Sequence, residues 1–193
     1  MICHRCNGTG KIGKYEFRCS QCYGTGSGVP LVRYAGIGAR VTPADILLEM
    51  SNLGMRLAMK GCVLQSGGAG GADSAFEQGC DLVGGRKIIR QATLFDKALE
   101  HAARFHPNWE ACDNNARGLH SRNSLVMLGD WLDTPVNFVV CWTEGGQPVG
   151  GTGQALRIAN APEYNIPVFN LAIAGHLQAL DAWINGEPVN HGK

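Results

Sequence analysis

A glycine-rich run between two contrasting segments sets the strongest constraint on how this chain folds. The run covers residues 65–73 and follows the apolar segment 61–64, which has the character of a short buried strand. Residues 73–80 have the spacing of a helix opening. Glycines in such a turn bring backbone N–H groups close to an anion, and the helix N-terminus adds partial positive charge. The run therefore predicts a phosphate-binding turn, or alternatively a tight connection, in an α/β protein.

Strand-like and helix-like segments alternate along the rest of the chain. We predict strands at 31–40, 61–64, 87–90, 136–142 and 166–171. Helices are predicted at about 42–60, 73–83, 93–105 and 119–132, after the glycine turn at 150–153, and at the C-terminal stripe of Leu177, Leu180 and Ile184. Segment 136–142 is nearly continuously apolar, as a strand buried on both faces is. Thr42 and Asp45 predict a capping box at the first helix. The predicted fold class is α/β, a Rossmann-like doubly wound, mainly parallel sheet.

An internal repeat, Cys-x-x-Cys-x-Gly-Thr-Gly, occupies residues 3–10 and 19–26. Its four cysteines, Cys3, Cys6, Cys19 and Cys22, provide the ligands of a tetrahedral structural Zn²⁺ site, and its glycines permit turns that aim N–H groups at sulfur. Four unmetallated cysteines or two disulfides are the weaker alternatives. We predict a zinc-binding module at 1–28, the nucleotide-binding domain at 31–186 and a tail at 187–193.

Composition and charge disfavour several functional classes without excluding a local nucleic-acid-binding patch. The formal net charge of +1 over 193 residues provides no overall field that attracts nucleic acid or an anionic membrane. No apolar run approaches the length of a membrane span, and the N-terminus lacks a signal-peptide layout, so we expect a cytoplasmic protein. We interpret His101, His106 and His120 as too dispersed in sequence for a metal site or a catalytic triad.

Three glycine turns follow predicted strands, at 36–40, 66–73 and 142–153. Parallel strands of a doubly wound sheet end at one edge, where ligands bind. The three turns are therefore predicted to share one crevice. Trp109 and Trp142 are candidates for stacking on a base, although core packing is the stronger interpretation for a tryptophan that ends a strand.

Four motifs, in this order, resemble the SLOG superfamily of Rossmann-like nucleotide-binding proteins. They are residues 35–40, residues 66–73, the pair Arg122-Asn123 and residues 150–152. The first three are most similar to the DprA-like branch. The resemblance implies a nucleotide or nucleotide-derived ligand at the strand ends, often within a homo-oligomer. The N-terminal repeat resembles the zinc module of DnaJ-type chaperones, with one pair of units and hence one zinc, and without a J-domain.

The motifs and their roles select the candidate ligand-binding residues. Arg40 and Arg122 are predicted to bind phosphate with a planar guanidinium, and Thr152 to donate a hydroxyl to it. Asp73 is predicted to hold a ribose hydroxyl or, equally, to cap its helix. The full set is Gly36, Ile37, Gly38, Arg40, Ser66, Gly67, Gly68, Gly71, Ala72, Asp73, Arg122, Asn123, Thr143, Gly150, Gly151, Thr152 and Gly153.

Members of the superfamily differ in activity. Lonely Guy enzymes cleave nucleoside monophosphates with a glutamate whose place is taken here by Arg157, and a cation cannot act as that carboxylate does. We therefore predict a protein that binds a nucleotide or an ADP-ribose-type ligand, as a sensor or sequestering protein. The alternatives are a phosphoribohydrolase-like enzyme and a DprA-like accessory that binds single-stranded DNA.

Overall fold

The main body of the protein is a parallel sheet covered by helices on both faces. A computed structural model describes residues 2–13, 17–19, 22, 26 and 31–185; the predicted tail at 187–193 lies outside the described residues. The elements, in chain order, are β1 (Lys11–Ile12), β2 (Phe17–Arg18), β3 (Arg33–Gly38), α1 (Ala44–Met59), β4 (Val63–Ser66), α2 (Ala72–Leu82), β5 (Lys87–Ile89), α3 (Asp96–Arg104), α4 (Asn114–Leu128), β6 (Phe138–Trp142), α5 (Gly150–Ala159), β7 (Val168–Asn170) and α6 (His176–Asn185). Short 3₁₀ turns lie at Trp109–Ala111 and Glu144–Gly146.

The five strands of the sheet run in the order β5-β4-β3-β6-β7, and every pair is parallel. The chain builds outward from β3 to β5 and then returns to the other side of β3 with β6. The strand order therefore reverses between β3 and β6, where Gly38 is paired with Trp142. The α/β fold predicted from the alternation is confirmed.

Alternate residues of β6 point into two separate apolar layers. Phe138 and Val140 pack in the layer that also contains Phe76 of α2, whereas Val139 and Cys141 pack in the layer that contains Ile158 of α5. All four β6 residues are buried. Burial on both faces explains why this strand has no polar alternation in the sequence, and the prediction of a central strand is confirmed.

The first helix begins differently from its prediction. The capping box is wrong, because no side chain caps α1 and the Thr42 hydroxyl instead donates to the carbonyl of Ala39 at 2.8 Å. Thr42 thus fastens the turn after β3. Strand β4 begins two residues later than predicted, since Gly61 and Cys62 donate their N–H groups to carbonyls of the last turn of α1.

Helix α4 begins at Asn114, five residues before its predicted start at residue 119. The Asp113 carboxylate accepts the N–H of Ala116 at 2.7 Å and caps the helix. The polar pair Asn114-Asn115 conceals this start, because it interrupts the apolar periodicity that marks the rest of the helix. The extra turn brings Ala116 to the edge of the sheet.

One ion pair joins the N-terminal repeat to the main sheet domain. The Arg5 guanidinium lies 2.9 Å from the Asp133 carboxylate, and both side chains are about two-fifths exposed. Helices long and apolar enough to cross a bilayer do not occur in the part of the chain that is described.

Candidate functional site

A cavity of about 450 Å³ opens where the strand order reverses, beyond the carboxyl ends of β3, β4 and β6. This is the position at which doubly wound sheets bind ligands. Its volume lies within the range of about 300–1,000 Å³ that is common for ligand pockets. The lining residues are Ile37, Gly38, Ala39, Arg40, Gly67, Ala69, Asp73, Ala116, Leu119, His120, Arg122, Asn123, Val126, Val149, Gly150, Gly151, Thr152 and Ala155.

The predicted ligand-binding residues divide into two groups. Those that line the cavity are Ile37, Gly38, Arg40, Gly67, Asp73, Arg122, Asn123, Gly150, Gly151 and Thr152. Those that do not line it are Gly36, Ser66, Gly68, Gly71, Ala72, Thr143 and Gly153. The second group supports the first: Ala72 is buried against Gly38, for example, and Thr143 accepts a hydrogen bond from Asn170 of β7 at 2.7 Å.

The loop between β4 and α2 is held together by the carboxylate of Asp73. One oxygen accepts the N–H groups of Gly67 at 3.2 Å and of Ala69 at 3.3 Å. The N–H of Gly68 donates to the Ser66 hydroxyl. Three successive amides of the glycine run are therefore engaged by the protein itself. The predicted capping role of Asp73 is wrong, since Gly71 occupies the N-cap position and Asp73 reaches back across the loop.

Arg122 projects from α4 across the glycine run and meets the same carboxylate. Its Nη1 lies 3.7 Å from Asp73 Oδ2, and only about a tenth of its side chain is exposed. A Cβ on Gly67 would lie 1.0 Å from this nitrogen, so the absence of a side chain at 67 is what makes room for the guanidinium. Arg122 Nε is buried without a hydrogen-bond partner among the described residues. The pair is thus close and incompletely satisfied.

The charged groups of the cavity influence one another. Burial raises the pKa of Asp73, and the Arg122 guanidinium and the loop amides oppose that shift. Burial also lowers the pKa of Arg122; Asp73 opposes this effect and Arg40 adds to it. Arg40 is exposed at the rim. The guanidinium groups of Arg40 and Arg122 therefore face one cavity, and the Asp73 carboxylate there is paired with Arg122.

The second glycine turn is the first turn of α5 rather than a loop before it. Gly150, Gly151 and Thr152 are its first residues, and they line the cavity. The first N–H groups of a helix have no partner within the helix, and they carry its positive dipole end. No side chain caps α5 and its first turn has no acidic residue. This wall offers amide donors that the Asp73 loop does not.

Asn123 and Arg157 hold this turn in place. The Asn123 amide donates to the carbonyl of Gly151 and to Gln154, at 3.1 Å each. Arg157, at the place of the Lonely Guy glutamate, donates from Nε to the carbonyl of Phe105 at 2.7 Å. Its guanidinium is used to join α5 to the end of α3, and it does not line the main cavity.

Sequence reasoning missed most of the α4 wall. The missed lining residues are Ala39, Ala69, Ala116, Leu119, His120, Val126, Val149 and Ala155. Residues 116, 119, 120, 123 and 126 recur at helical spacing, so extending a helix from Arg122-Asn123 in both directions would have found this face. The two tryptophans considered for base stacking do not line this cavity, nor a second cavity that adjoins it at residues 149–151. Trp142 packs on the core, and Trp109 packs beside His106 and His120.

The four cysteines of the repeat form a second candidate site, away from the cavity. Their sulfur atoms lie within 4.8 Å of one another and all four residues are buried. The sulfurs of Cys3 and Cys19 are 3.8 Å apart and those of Cys6 and Cys22 are 3.5 Å apart, far beyond the S–S length of about 2.05 Å in a disulfide. The cluster can bind a metal ion.

The two repeat units are related by reciprocal hydrogen bonds. Cys3 donates its N–H to Gly26 O, and Cys19 donates to Gly10 O, at 2.8 Å each. The N–H of Gly10 points at Cys6 Sγ at 3.2 Å, and that of Gly26 at Cys22 Sγ at 3.3 Å. Both glycines have positive φ, as such N–H···S turns require. Both units therefore stabilise thiolates in the same way, as the repeat predicts.

Comparison with known proteins identifies no family. No protein-family model matches the chain, and no curated protein matches it by sequence. Among solved structures, the chain is similar to the Moco carrier protein of Chlamydomonas rheinhardtii, with 19% sequence identity and a TM-score of 0.45. The match covers 81% of this chain and 85% of that protein.

Proposed function

We propose that the main domain binds a phosphate-bearing nucleotide or nucleotide-derived ligand in the cavity between β3 and β6, and that the protein serves to sense or sequester it. The observation that carries the proposal is the uncapped N-terminus of α5, which faces the same cavity as Arg40 and Arg122. Amide donors, a helix dipole and guanidinium groups together favour a phosphate. The SLOG-like motifs support the same ligand class.

The walls of the cavity suggest how such a ligand lies. The phosphate is expected at Gly150–Thr152, with Arg40 at the rim, because the amides of the Asp73 loop are already engaged. Ile37, Leu119 and Val126 provide an apolar wall on which a base or another flat group can pack. The glycine run thus contributes by fixing Asp73 and Arg122, and the phosphate contacts come from α5.

The direct test begins with whatever co-purifies. Purified protein is denatured, and the released small molecules are identified by mass. Calorimetry with nucleoside monophosphates, nucleoside diphosphates, ADP-ribose and NAD then gives affinities. Arg40→Ala is expected to weaken binding at least about tenfold through the loss of one charged phosphate contact, whereas Arg86→Ala, an exposed arginine away from the cavity, has no effect. No binding across the whole panel would refute the proposal.

The two alternative functions receive less support from the residues. Arg157 is engaged with a backbone carbonyl, and the cavity carboxylate, Asp73, is paired with Arg122, so no free carboxylate lines the described cavity for N-glycosidic cleavage. Incubation with nucleoside monophosphates and NAD is expected to release no base. Single-stranded DNA is expected to cause no mobility shift, even at low salt, where phosphate contacts are strongest.

For the N-terminal repeat we propose a structural zinc site of four thiolates. A Zn–S length of about 2.3 Å places the sulfurs of a tetrahedral site about 3.8 Å apart, and the sulfur separations of 3.8 and 3.5 Å are close to that. Cys6→Ser is expected to lower the zinc content by one ion per chain, whereas Cys80→Ala, at a buried cysteine outside the cluster, leaves it unchanged. Equal zinc content in both variants would contradict the assignment.

A homo-oligomer is the remaining expectation from the SLOG resemblance. Sedimentation velocity at several protein concentrations measures it, and a monomer at all concentrations would remove it.

A further inference from the structure

A second cluster of metal-ligating side chains lies beside the cavity, where the sequence suggested none. His106 follows α3, Cys112 follows the 3₁₀ turn at Trp109–Ala111, and His120 lies on α4. One ligand atom from each lies within 4.8 Å of the others. The interpretation that His106 and His120 are dispersed is therefore wrong, because the short connection from α3 to α4 folds back on itself. His101 is separate and is hydrogen-bonded to Ser124 and Tyr164.

The separations suit a borderline transition-metal ion. The sulfur of Cys112 lies 3.7 Å from both ring nitrogens of His106, and the rings of His106 and His120 have centroids 4.3 Å apart. Lengths of about 2.0–2.1 Å for Zn–N and about 2.3 Å for Zn–S place nitrogen and sulfur about 3.6 Å apart around a tetrahedral ion. The Cys112–His106 separation already has this value within about 0.1 Å.

The two imidazoles of the cluster are half-buried beside an aromatic side chain. Nδ1 of His120 is buried and makes no hydrogen bond of normal geometry to the described residues. The indole ring of Trp109 packs against both imidazoles, with centroid distances of 6.1 and 6.4 Å. An imidazole nitrogen without a hydrogen-bond partner can bind a metal ion.

We propose that His106, Cys112 and His120 form a second metal site, distinct from the four-cysteine cluster, for Zn²⁺ or another borderline divalent ion. Three protein ligands leave one tetrahedral position open, which is the pattern of reactive rather than structural zinc. The imidazole of His106 accepts the N–H of Asn108 at 3.2 Å, and coordination through that nitrogen replaces this contact.

Two of the three side chains, His106 and His120, border open space next to the ligand cavity. A second cavity, of about 470 Å³, is lined by His106, Pro107, His120, Pro148, Val149, Gly150, Gly151 and Arg157. It shares His120 and the first residues of α5 with the main cavity. An ion at the cluster therefore lies beside the N-terminus of α5. Its fourth position can accept water or an oxygen of an anionic ligand bound there.

Metal stoichiometry tests the site without any assumption about the organic ligand. Protein depleted of metal under reducing conditions is reloaded with Zn²⁺, desalted and analysed for metal. Wild type is expected to retain two ions per chain, and Cys112→Ser, His106→Gln and His120→Gln to retain one each. In each of these three variants, the affinity for the second ion is expected to fall at least about 100-fold. Loss of a residue that only hydrogen-bonds to a metal ligand costs about 10- to 100-fold, so a larger loss indicates a direct ligand. His101→Gln is the matched control and retains two ions.

Cobalt substitution identifies the ligand set independently. With Co²⁺ in place of Zn²⁺, and in enough excess to occupy the weakened second site, Cys112→Ser removes one thiolate-to-metal charge-transfer contribution, whereas His106→Gln changes the ligand-field bands and keeps that contribution. Circular dichroism confirms that each variant is folded; His106 and Cys112 follow α3 outside the regular elements, and their replacement is expected to be tolerated. Retention by wild type of a single ion that Cys6→Ser removes, or retention of two ions by all three variants, overturns the proposal.

Discussion

At the residue scale, the position of the Arg122 side chain on α4 depends on Gly67, in the loop after β4. The guanidinium occupies the space that a side chain at 67 would need. We expect Gly67→Ala to displace Arg122 from Asp73 and to weaken ligand binding about as much as Arg122→Ala does. In a double-mutant cycle measured by calorimetry, the two effects should therefore be strongly non-additive.

Gly70 provides the control for this experiment. A Cβ at 70 meets nothing within 4 Å, and Gly70 lies in the same run. Gly70→Ala is expected to leave both affinity and stability within about 0.5 kcal/mol of wild type. Equal losses from Gly67→Ala and Gly70→Ala would mean that flexibility of the run, rather than room for Arg122, is what the ligand requires.

His101 predicts a pH dependence of stability. Its ring nitrogens lie 2.9 Å from Ser124 Oγ and from Tyr164 OH, and burial lowers its pKa from 6.5 to about 4. Between these two pH values the unfolded chain binds the proton and the folded chain does not, so stability decreases as the pH falls from about 6.5 to about 4. The expected loss is about 1–2 kcal/mol.

The measurement is urea unfolding of wild type and His101→Gln at several pH values across that window. The difference between their unfolding free energies should become smaller as the pH falls, because only wild type loses the contribution of a neutral histidine. If the difference in unfolding free energy between wild type and His101→Gln is constant with pH, His101 has the same pKa in the folded and the unfolded chain.

At the element scale, the N-terminus of α5 can be tested by introducing an anion of the protein's own. Thr152→Asp places a carboxylate in the first turn, where it stabilises the helix by about 0.3–1 kcal/mol and repels a phosphate. We expect thermal stability to be kept or raised and nucleotide affinity to fall at least about tenfold. Thr152→Asn has nearly the same shape without the charge, and should bind far better than the aspartate variant.

Stability and affinity that fell together in both variants would instead indicate a local packing role for Thr152. The opposite signs expected for Thr152→Asp separate these interpretations, because a damaged fold cannot raise the melting temperature while it weakens binding.

The elements were predictable from the sequence where apolar periodicity decides them. Strand β6 and helix α1 follow from their runs, and the fold class follows from the alternation. The starts of α4 and α5 were not predictable in this way. Asn114 and Gly150 have low helix propensity, and only the Asp113 cap and the contacts of Asn123 select a helix there.

The candidate site was predictable as a location and less so in its roles. Three glycine turns at strand ends indicated the crevice, because topology brings strand ends together. Which amides are free within it depends on side chains from distant elements. Asp73 accepts N–H groups of the β4–α2 loop, whereas no side chain caps the first turn of α5. His106 and His120 come together because the loop between α3 and α4 folds back, and that loop has no helix-like or strand-like pattern in the sequence.

At the scale of the whole molecule, the N-terminal repeat has few described contacts with the sheet domain, so we expect its folding to depend on the proposed metal ion. Among the described residues, the apolar cluster of the four cysteines includes one further side chain, Ile12, and Arg5–Asp133 is a half-exposed pair worth at most about 1 kcal/mol. Metal removal is expected to speed amide exchange at Cys3 and Cys19 at least about tenfold, while amides of β3 and β6 stay protected.

Hydrogen exchange resolved by residue, with and without a chelator, measures this difference. If the sheet amides lose protection together with the cysteine amides, the two parts unfold as one cooperative unit, and the proposed boundary near residue 28 is wrong.

The carboxylate of Asp73, which occupies the amides of its own loop, also affects the kinetics of recognition. A loop whose amides at residues 67–69 are hydrogen-bonded before a ligand arrives has no ordering step to complete on binding, so little conformational entropy is lost there. Association should then follow a single exponential, with a rate that rises linearly with ligand concentration and no plateau from a slow closure. Discrimination among ligands would appear in their residence times.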